Sequence, residues 1–249
     1  MQNNIVARPL ATEVFDTLVK QKLEPLTATV LAARGIADSS EIFPRLQQLP
    51  QPAQLAGVVS LASQLAQIIQ TGEAICIVGD YDVDGVTSTA LAYLFLQELG
   101  ANVSWYLPNR KKNGYGLSAM IVEEQAQQDI KHILTVDNGT CAHEGIARAQ
   151  ALGMCVYVID HHQPDDVANG AEYMVNPQVD NGGCALFNHL VGVGVTFYVM
   201  AQLRQEMNST IDMAAYLDLV ALGSIADCAE LDIINRALIG AGLARIRQG

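Results

Sequence analysis

Short apolar segments alternate with helical segments through most of this chain, and that alternation limits its fold more than any other feature. The predicted strands are apolar throughout rather than at every second residue, as strands buried between two layers of helices are. They lie at residues 74–80, 102–108, 132–137, 155–160 and 172–177. The pattern predicts an α/β fold, with a mainly parallel sheet and helices on both of its faces.

The predicted helices are recognised by apolar residues at helical spacing. Ser118 is expected to cap one of them and Gly153 to close another. Within the α/β region the helices cover residues 57–70, 86–99, 118–128 and 142–152, and after Gly194 they cover residues 195–207, 211–222 and 234–246. Residues 1–55 are expected to form a helical extension, with helices at 12–21, 27–34 and 40–46. Pro44 interrupts the last of these.

Composition excludes several classes of protein. Half of the 249 residues are apolar, which is enough for a large core and excludes a disordered chain. Acidic residues outnumber basic ones by 26 to 14, so a broad basic face for nucleic acid is not expected. A local basic groove, or acidic clusters that hold metal ions, remain compatible with this charge.

Targeting signals and cysteine pairs are also missing from the sequence. The first ten residues, MQNNIVARPL, lack the apolar region of a signal peptide, and no run of 18 apolar residues predicts a membrane span. The five cysteines include no C-x-x-C pair, so their spacing indicates neither a zinc knuckle nor a disulfide framework. A cytoplasmic protein with reduced thiols and no membrane partner is expected.

Acidic side chains follow three of the predicted strands directly. The segments are DYDVDG at residues 80–85, DNG at 137–139 and DHH at 160–162. Because the carboxyl ends of parallel strands meet at one edge of a sheet, these side chains are expected to lie together. Three alternating aspartates repel one another unless a cation lies between them. The sequence therefore predicts a metal site, and its mixed carboxylate and imidazole ligands favour Mn²⁺, Fe²⁺ or Zn²⁺ over Ca²⁺.

Each of these segments also has a purely structural interpretation. Asp-Gly and Asn-Gly are common turn dipeptides, and Asp84 can serve as the N-cap of the following helix. Asp227, a fourth acid that follows an apolar helix, can be an exposed residue at that helix's end. His132 and His143 are expected to be surface residues rather than ligands.

In their order, these segments resemble the four motifs of the DHH phosphoesterase family: DYDVDG, DNG, DHH and the SIAD that ends at Asp227. The resemblance covers nearly the whole chain and is greatest to the family's single-strand-specific DNA exonucleases, which the three-aspartate first motif favours. It implies a metal-dependent 5′→3′ exonuclease that releases 5′-mononucleotides from single-stranded DNA in repair and recombination. Two Mn²⁺ or Mg²⁺ ions are the implied cofactors.

The resemblance also assigns roles to the acidic and imidazole side chains. Asp80 and Asp82 would hold one ion, Asp84, His161 and Asp227 the other, and Asp137 would bridge the two. Asp160 would lie behind the ligands and orient an imidazole. His162 would face the substrate phosphate or the leaving group.

Substrate contacts are implied at two further places. The basic loop that contains Asn109 and Arg110 would meet the DNA backbone, and Tyr115 could stack on a base. Gly192 and Gly194 precede a helix whose backbone N–H groups could bind phosphate. The structural alternatives are a solvated loop and close helix packing. Single-stranded DNA is the implied partner, with a single-strand-binding protein or a helicase as further candidates.

The sequence departs from the family pattern in two ways. Residues 227–231 read DCAEL, where the family's exonucleases usually have DVVPL. Those exonucleases also continue into a C-terminal domain, whereas this chain stops in what resembles the connecting helix. The expected domains are therefore a helical extension at 1–55, a DHH catalytic domain at 56–232 and the start of that helix at 233–249, with much of the DNA-holding surface absent.

Two other functions stay open at this point. The first is a different DHH activity, namely a phosphodiesterase for short oligonucleotides or cyclic dinucleotides, or a pyrophosphatase. The second is an inactive metal-binding fragment that needs its missing C-terminal half.

Overall fold

The computed structural model describes residues 6–42, 44–109, 116–179 and 185–248. The chain divides into two compact units, one that ends at Gln48 and one that begins at Leu49. Among the described residues no single helix is long and apolar enough to cross a membrane, and one bent pair, Leu46–Gln54 with Val58–Thr71, meets the criteria of length and composition. The expected limits of the catalytic domain, residues 56 and 232, stay a prediction.

Among its described residues, the first unit has two α-helices. Helix α1 (Thr12–Lys20) packs against α2 (Pro25–Ala32) around the buried side chains of Leu18, Ala28 and Ala32. The helix predicted at residues 40–46 is wrong, because the structure has two single 3₁₀ turns there, at Ser39–Glu41 and Leu46–Gln48. Pro44 cannot donate the N–H group that a continuous helix would need at that position.

The second unit is built on the predicted parallel sheet. Its five strands run in the order β2-β1-β3-β4-β5, and each neighbouring pair is parallel. They are β1 (Ile75–Val78), β2 (Val103–Tyr106), β3 (His132–Val136), β4 (Cys155–Ile159) and β5 (Tyr173–Val175). Val78 pairs with Thr135, and Val136 pairs with Ile159. This register brings the ends of the three central strands level, so the segments that follow them meet.

Helices cover both faces of the sheet, as predicted. Helices α5 (Ala119–Ala126) and α6 (His143–Ala151) bury one face, through residues such as Ile121, Val122 and Ile146. Three helices cover the other face of the sheet: α3 (Val58–Thr71), α4 (Val83–Glu98) and α7 (Gly192–Glu206). Helix α7 packs against both α3 and α4. Helix α8 (Leu217–Ala226) then packs on α4, and α9 (Ile233–Ile246) packs on α8.

Two helices begin three residues earlier than the sequence predicts, and both differences concern the acidic edge of the sheet. Helix α4 begins at Val83 because Asp82 caps it, accepting a 2.9 Å hydrogen bond from the N–H of Gly85. The interpretation of Asp84 as the cap is therefore wrong. Helix α7 begins at Gly192, and its first turn faces the same edge. The predicted helix at 211–222 is instead a 3₁₀ turn, Met213–Tyr216, followed by α8.

Candidate metal centre

The first acidic segment is held tightly between β1 and α4. Asp80 and Asp84 are each 2% exposed, whereas Asp82 is exposed. A Cβ atom on Gly85 would lie 2.6 Å from the carbonyl oxygen of Asp80, so only glycine permits the first turn of α4 to approach this closely. The three alternating aspartates thus lie in one compact turn, and two of their three carboxylates are buried.

The second segment is the turn that its dipeptide predicts, and it also presents a buried carboxylate. Asp137 has a left-handed backbone, with φ of 59°, which costs a non-glycine residue about 1–2 kcal/mol. Its N–H donates to the carbonyl oxygen of Ile159 at 2.9 Å. The side chain of Asn138 donates to the carbonyl oxygens of Val78 and Val136, at 3.0 and 2.9 Å. These bonds tie three strand ends together and hold Asp137 in its strained position.

Helix α7 directs its first N–H groups at a carboxylate of the first segment. The N–H groups of Gly192 and Val193 donate to the two oxygens of Asp84, at 2.7 and 2.9 Å. A Cβ atom on Gly192 would lie 2.6 Å from the Oδ1 atom of Asp137. The N-terminus of a helix favours such a negative charge. The start of α7 therefore fixes Asp84 directly and permits the close approach of Asp137.

This arrangement affects the glycines for which substrate contacts were expected. The N–H of Gly192 is already donated to Asp84, so a phosphate would have to compete for it. A Cβ atom on Gly194 would lie 3.0 Å from Leu190, which indicates close packing. A substrate role for both glycines stays a prediction.

His161 brings the remaining carboxylates together. Its Nε2 atom lies 3.1 Å from Asp137, 3.7 Å from Asp84 and 4.0 Å from Asp227. Asp227 ends α8 and has a side chain 36% exposed, so its structural interpretation also describes its position. The four side chains come from segments far apart in the sequence, and the fold gathers them around one point.

The possible ligands form two groups of three. In the Asp80 group (Asp80, Asp82 and Asp137) and in the Asp84 group (Asp84, His161 and Asp227), ligand atoms lie within 4.8 Å of one another. Asp137, His161 and His162 form a third such set, which connects these two. Ligands at about 2.0–2.3 Å from an ion need only small side-chain movements to reach it from such spacings. The six expected ligands therefore lie where two ions could share Asp137, and their role as ligands stays a prediction.

The electrostatics of these groups fit a cation. Burial and, after it, the nearby carboxylate of Asp137 together raise the pKa of Asp84 to about 8. Burial likewise raises the pKa of Asp137 to about 8, with contributions from Asp82 and Asp160. Carboxylates that resist ionisation because they are buried beside one another are stabilised in their charged form by a divalent ion.

Asp160 and His162 form a second, different unit at this edge. The carboxylate of Asp160 is buried and accepts hydrogen bonds from the N–H of His161 at 2.7 Å, the N–H of Thr140 at 2.9 Å and the Nδ1 atom of His162 at 2.7 Å. Burial alone would raise the pKa of Asp160, but the bonds from His162 and Thr140 outweigh it and lower that pKa to about 2. The same hydrogen bond raises the pKa of His162 to about 9. Asp160 thus orients His162 and favours its protonated form.

Asn176, which the sequence motifs did not single out, supports His162 from behind. This side chain is 4% exposed and donates to the carbonyl oxygen of His162 and to the hydroxyl of Thr140, both at 2.8 Å. It directly follows β5, at the same edge as the acidic segments. A polar residue immediately after an apolar strand was the signal that could have found it.

The other residues that the sequence indicated are the basic loop and two further histidines, and the structure describes only some of them. Arg110 and Tyr115 lie outside the described residues, and Asn109, the last described residue before them, is exposed. His132 is buried rather than at the surface, between the hydroxyl of Tyr157 and the carboxylate of Glu73, both at 3.1 Å. His143 is partly exposed, as expected.

Two openings give access to the site. One, of about 130 Å³, is lined by Asp82, Asp84 and Asp227. The other, a cleft of about 560 Å³, is lined by Asp160 and His162 together with Gly116, Gly139 and Cys141.

Comparison with known proteins places this chain in a recognised family. Residues 74–224 match the model of the DHH family, N-terminal domain. The single-stranded-DNA-specific exonuclease RecJ of Escherichia coli (strain K12) is 39% identical over 239 residues, which cover 92% of this chain and 41% of that protein.

Solved structures agree with this match. RecJ from Thermus thermophilus in complex with Mn²⁺ superposes with a TM-score of 0.82 at 30% identity, over 98% of this chain and 35% of that chain. The complex of the same organism's RecJ with Mg²⁺ has a TM-score of 0.65 at 27% identity, over 98% of this chain and 31% of that chain. This chain spans 41% of the length of the E. coli relative.

Proposed function

Because this chain belongs to the DHH family, we propose that its acidic edge is the active site of a metal-dependent nuclease that hydrolyses single-stranded DNA from the 5′ end to 5′-mononucleotides. The observation that carries the proposal is the geometry of the two ligand groups, which are connected by the 3.1 Å contact between Asp137 and His161. The similar proteins named as single-stranded-DNA-specific exonucleases, and the RecJ structures with Mn²⁺ or Mg²⁺, support the choice of substrate and metal.

The residues that would hold two Mn²⁺ or Mg²⁺ ions are those of the Asp80 group and the Asp84 group. Bound there, two ions supply positive charge for the phosphate and a hydroxide nucleophile at neutral pH. Each group offers three donors, so positions remain for water and phosphate oxygens. Asp137 would be shared, which requires its strained backbone to stay in place.

His162 has the position of a proton donor. The Nδ1 atom is held by Asp160 at 2.7 Å, so we infer that Nε2 is the nitrogen that would act on the substrate. In hydrolysis to a 5′-mononucleotide, a water oxygen bonds to phosphorus and the bond from phosphorus to the 3′ oxygen breaks. The protonated ring would give its Nε2 proton to that departing 3′ oxygen, and Asp160 would stabilise the charged ring beforehand.

Further contacts with DNA are proposed for the segment that includes Asn109, Arg110 and Tyr115, and for Gly192 and Gly194. The overall charge of −12 disfavours DNA over most of the chain, so the basic residues of this segment are the proposed contacts with the DNA backbone. We also propose that a single-strand-binding protein or a helicase of DNA repair is a partner of this protein. A cytoplasmic location stays a prediction.

Release of 5′-mononucleotides from single-stranded DNA in Mn²⁺ tests this function. Changes to residues that only support metal ligands typically cost about 10–100-fold in activity. Asp82 is a proposed ligand itself, so we expect Asp82→Ala to reduce the rate by more than that. Asp16→Asn, which changes an exposed acid of α1, is the matched control and should leave the rate unchanged. Equal rates for the Asp82→Ala variant and the unchanged chain would contradict the proposal.

A substrate panel separates the alternatives. Duplex DNA, short oligonucleotides, cyclic dinucleotides and pyrophosphate are compared with long single-stranded DNA under the same conditions. Preference for one of the small substrates would favour another DHH activity. Tight Mn²⁺ binding without hydrolysis of any substrate would instead favour a metal-binding fragment that needs a further domain.

A further inference from the structure

A second cluster of metal-binding side chains lies outside the proposed active site. Ligand atoms of Cys141, His143 and Asp165, here called the Cys141 cluster, lie within 4.8 Å of one another. The cluster shares no residue with the Asp80 group or the Asp84 group. From these three side chains we infer a binding site for a single Zn²⁺ ion.

The three donor atoms lie close together in the structure, and two of them are in direct contact. The Nε2 atom of His143 is 2.8 Å from Asp165 Oδ2, and the thiol of Cys141 is directed to the carbonyl oxygen of Gln163 at 3.7 Å. Within the described residues, Nδ1 of His143 is buried and without a hydrogen-bond partner. Nε2 is therefore the nitrogen that faces the cluster.

The segments that carry the donors are tied together by other bonds. The side chain of Asn169 donates to the carbonyl oxygens of Gly139 and Thr140, at 3.1 and 3.0 Å. The Oδ1 atom of Asp165 accepts from the N–H of Val167 at 3.0 Å, which leaves Oδ2 for the cluster. Outer hydrogen bonds of this kind hold ligands in place before a metal arrives.

The chemistry of the donors selects the ion. A thiolate, an imidazole and a carboxylate form a mixed sulfur, nitrogen and oxygen set that suits Zn²⁺, whereas Mg²⁺ and Ca²⁺ prefer oxygen alone. A thiolate and a carboxylate also neutralise the two charges of the ion. Donors of a tetrahedral zinc site lie about 3.3–3.8 Å apart. The His143–Asp165 pair would need to open from 2.8 Å by well under 1 Å, which is about the size of a small side-chain rotation.

The cluster lies at the cleft that His162 lines, so a bound ion would act on one wall of that cleft. Cys141 and Gln163 line the same cleft as His162, and Asp165 lies three residues after His162. Cys141 and Asp165 are exposed, so a fourth ligand position is open to water. Bound Zn²⁺ would hold the start of α6 to the segment after His162 and stiffen one wall of that cleft.

Co²⁺ is a suitable probe, because a thiolate bound to it gives a near-ultraviolet charge-transfer band that carboxylate and imidazole ligands do not give. We expect the 249-residue chain to develop this band on titration with Co²⁺ until it reaches a plateau of one thiolate-bound ion per chain, and excess Zn²⁺ to remove it. Cys141→Ser should abolish the band, and Asp165→Asn or His143→Ala should weaken Co²⁺ binding at least about 10-fold.

Cys228→Ser is the matched control, since Cys228 is also exposed and is adjacent to Asp227. This variant should keep the band. Loss of the band in Cys228→Ser, its persistence in Cys141→Ser, or its absence from the unchanged chain would each overturn the proposal. Cys141→Ser conserves size at an exposed position, and far-ultraviolet circular dichroism checks that it folds.

Discussion

The N–H of Gly192 donates a 2.7 Å hydrogen bond to the Oδ2 atom of Asp84, although 108 residues separate them in the chain. The same glycine permits Asp137 to approach to a distance that no other residue type would allow. One backbone position therefore supports a carboxylate from each of the first two acidic segments. Its replacement should affect both the stability of the fold and the metal site.

Gly192→Ala should destabilise the chain and weaken Mn²⁺ binding. The added Cβ would overlap Asp137, and overpacking of this kind typically costs about 1–3 kcal/mol. Chemical denaturation and calorimetric titration with Mn²⁺ measure the two effects. Gly240→Ala in α9 is the control, because its Cβ would meet no described atom within 4 Å, and alanine should stabilise the helix by about 0.5–1 kcal/mol.

The two histidines of the third segment should separate binding from turnover. His161→Ala removes a donor of the Asp84 group, so it should lower Mn²⁺ affinity and activity together. His162→Ala should leave Mn²⁺ affinity nearly unchanged and reduce turnover by about 10²–10⁴-fold, the usual contribution of a positioned proton donor. Equal losses of Mn²⁺ affinity in the two variants would show that the assigned roles are wrong.

Asn176→Ala tests the support behind His162. It removes two hydrogen bonds of a buried side chain and should cost about 1–3 kcal/mol of stability. Because the carbonyl oxygen of His162 loses its donor, turnover should fall while Mn²⁺ affinity is kept. Asn188→Ala changes an exposed asparagine and serves as the control. A fall in Mn²⁺ affinity as large as the fall in turnover would argue against a positioning role.

Without metal, the chain should become less stable as the pH rises from 6.5 to 8. The pKa values of Asp84 and Asp137 rise from 3.8 to about 8, so the folded state binds more protons than the unfolded state across this range. The pKa of His162 rises from 6.5 to about 9, so its stabilisation is also lost as the pH rises through that value. Each group contributes at most about 1.4 kcal/mol per pH unit.

Denaturation in EDTA at both pH values measures this dependence. Asp137→Asn should reduce the slope, because the neutral amide does not titrate, and saturating Mn²⁺ should restore stability at pH 8. Metal-free stability that stays level or increases over the same range would contradict the electrostatic account of the site.

Much of the site could be predicted because each acidic segment directly follows an apolar strand. Parallel strands end at a common edge, so Asp80, Asp137 and Asp160 had to lie near one another once the sheet was recognised. The sequence pattern also predicted each strand that the described residues form, and the coverage of both faces. The prediction of a helix at 40–46 was wrong because Pro44 prevents a continuous helix there, although the apolar residues have helical spacing.

The contacts that the sequence could not reveal join residues distant in the chain. Helical spacing does not show that the first N–H of α7 donates to Asp84, nor that Asn176 donates to the carbonyl oxygen of His162. The Cys141 cluster was hidden for the same reason, since 22 residues separate His143 from Asp165. Such contacts depend on the packing of whole elements, which local patterns do not determine.

The central claim is that two metal ions share Asp137, and electron paramagnetic resonance of bound Mn²⁺ tests it most directly. Ions about 3.5–4 Å apart with a bridging carboxylate are magnetically coupled, unlike ions held separately. We predict a coupled signal as the second equivalent of Mn²⁺ binds, and loss of that coupling in Asp137→Asn. A spectrum of isolated Mn²⁺ at two equivalents, or unchanged coupling in Asp137→Asn, would contradict the account.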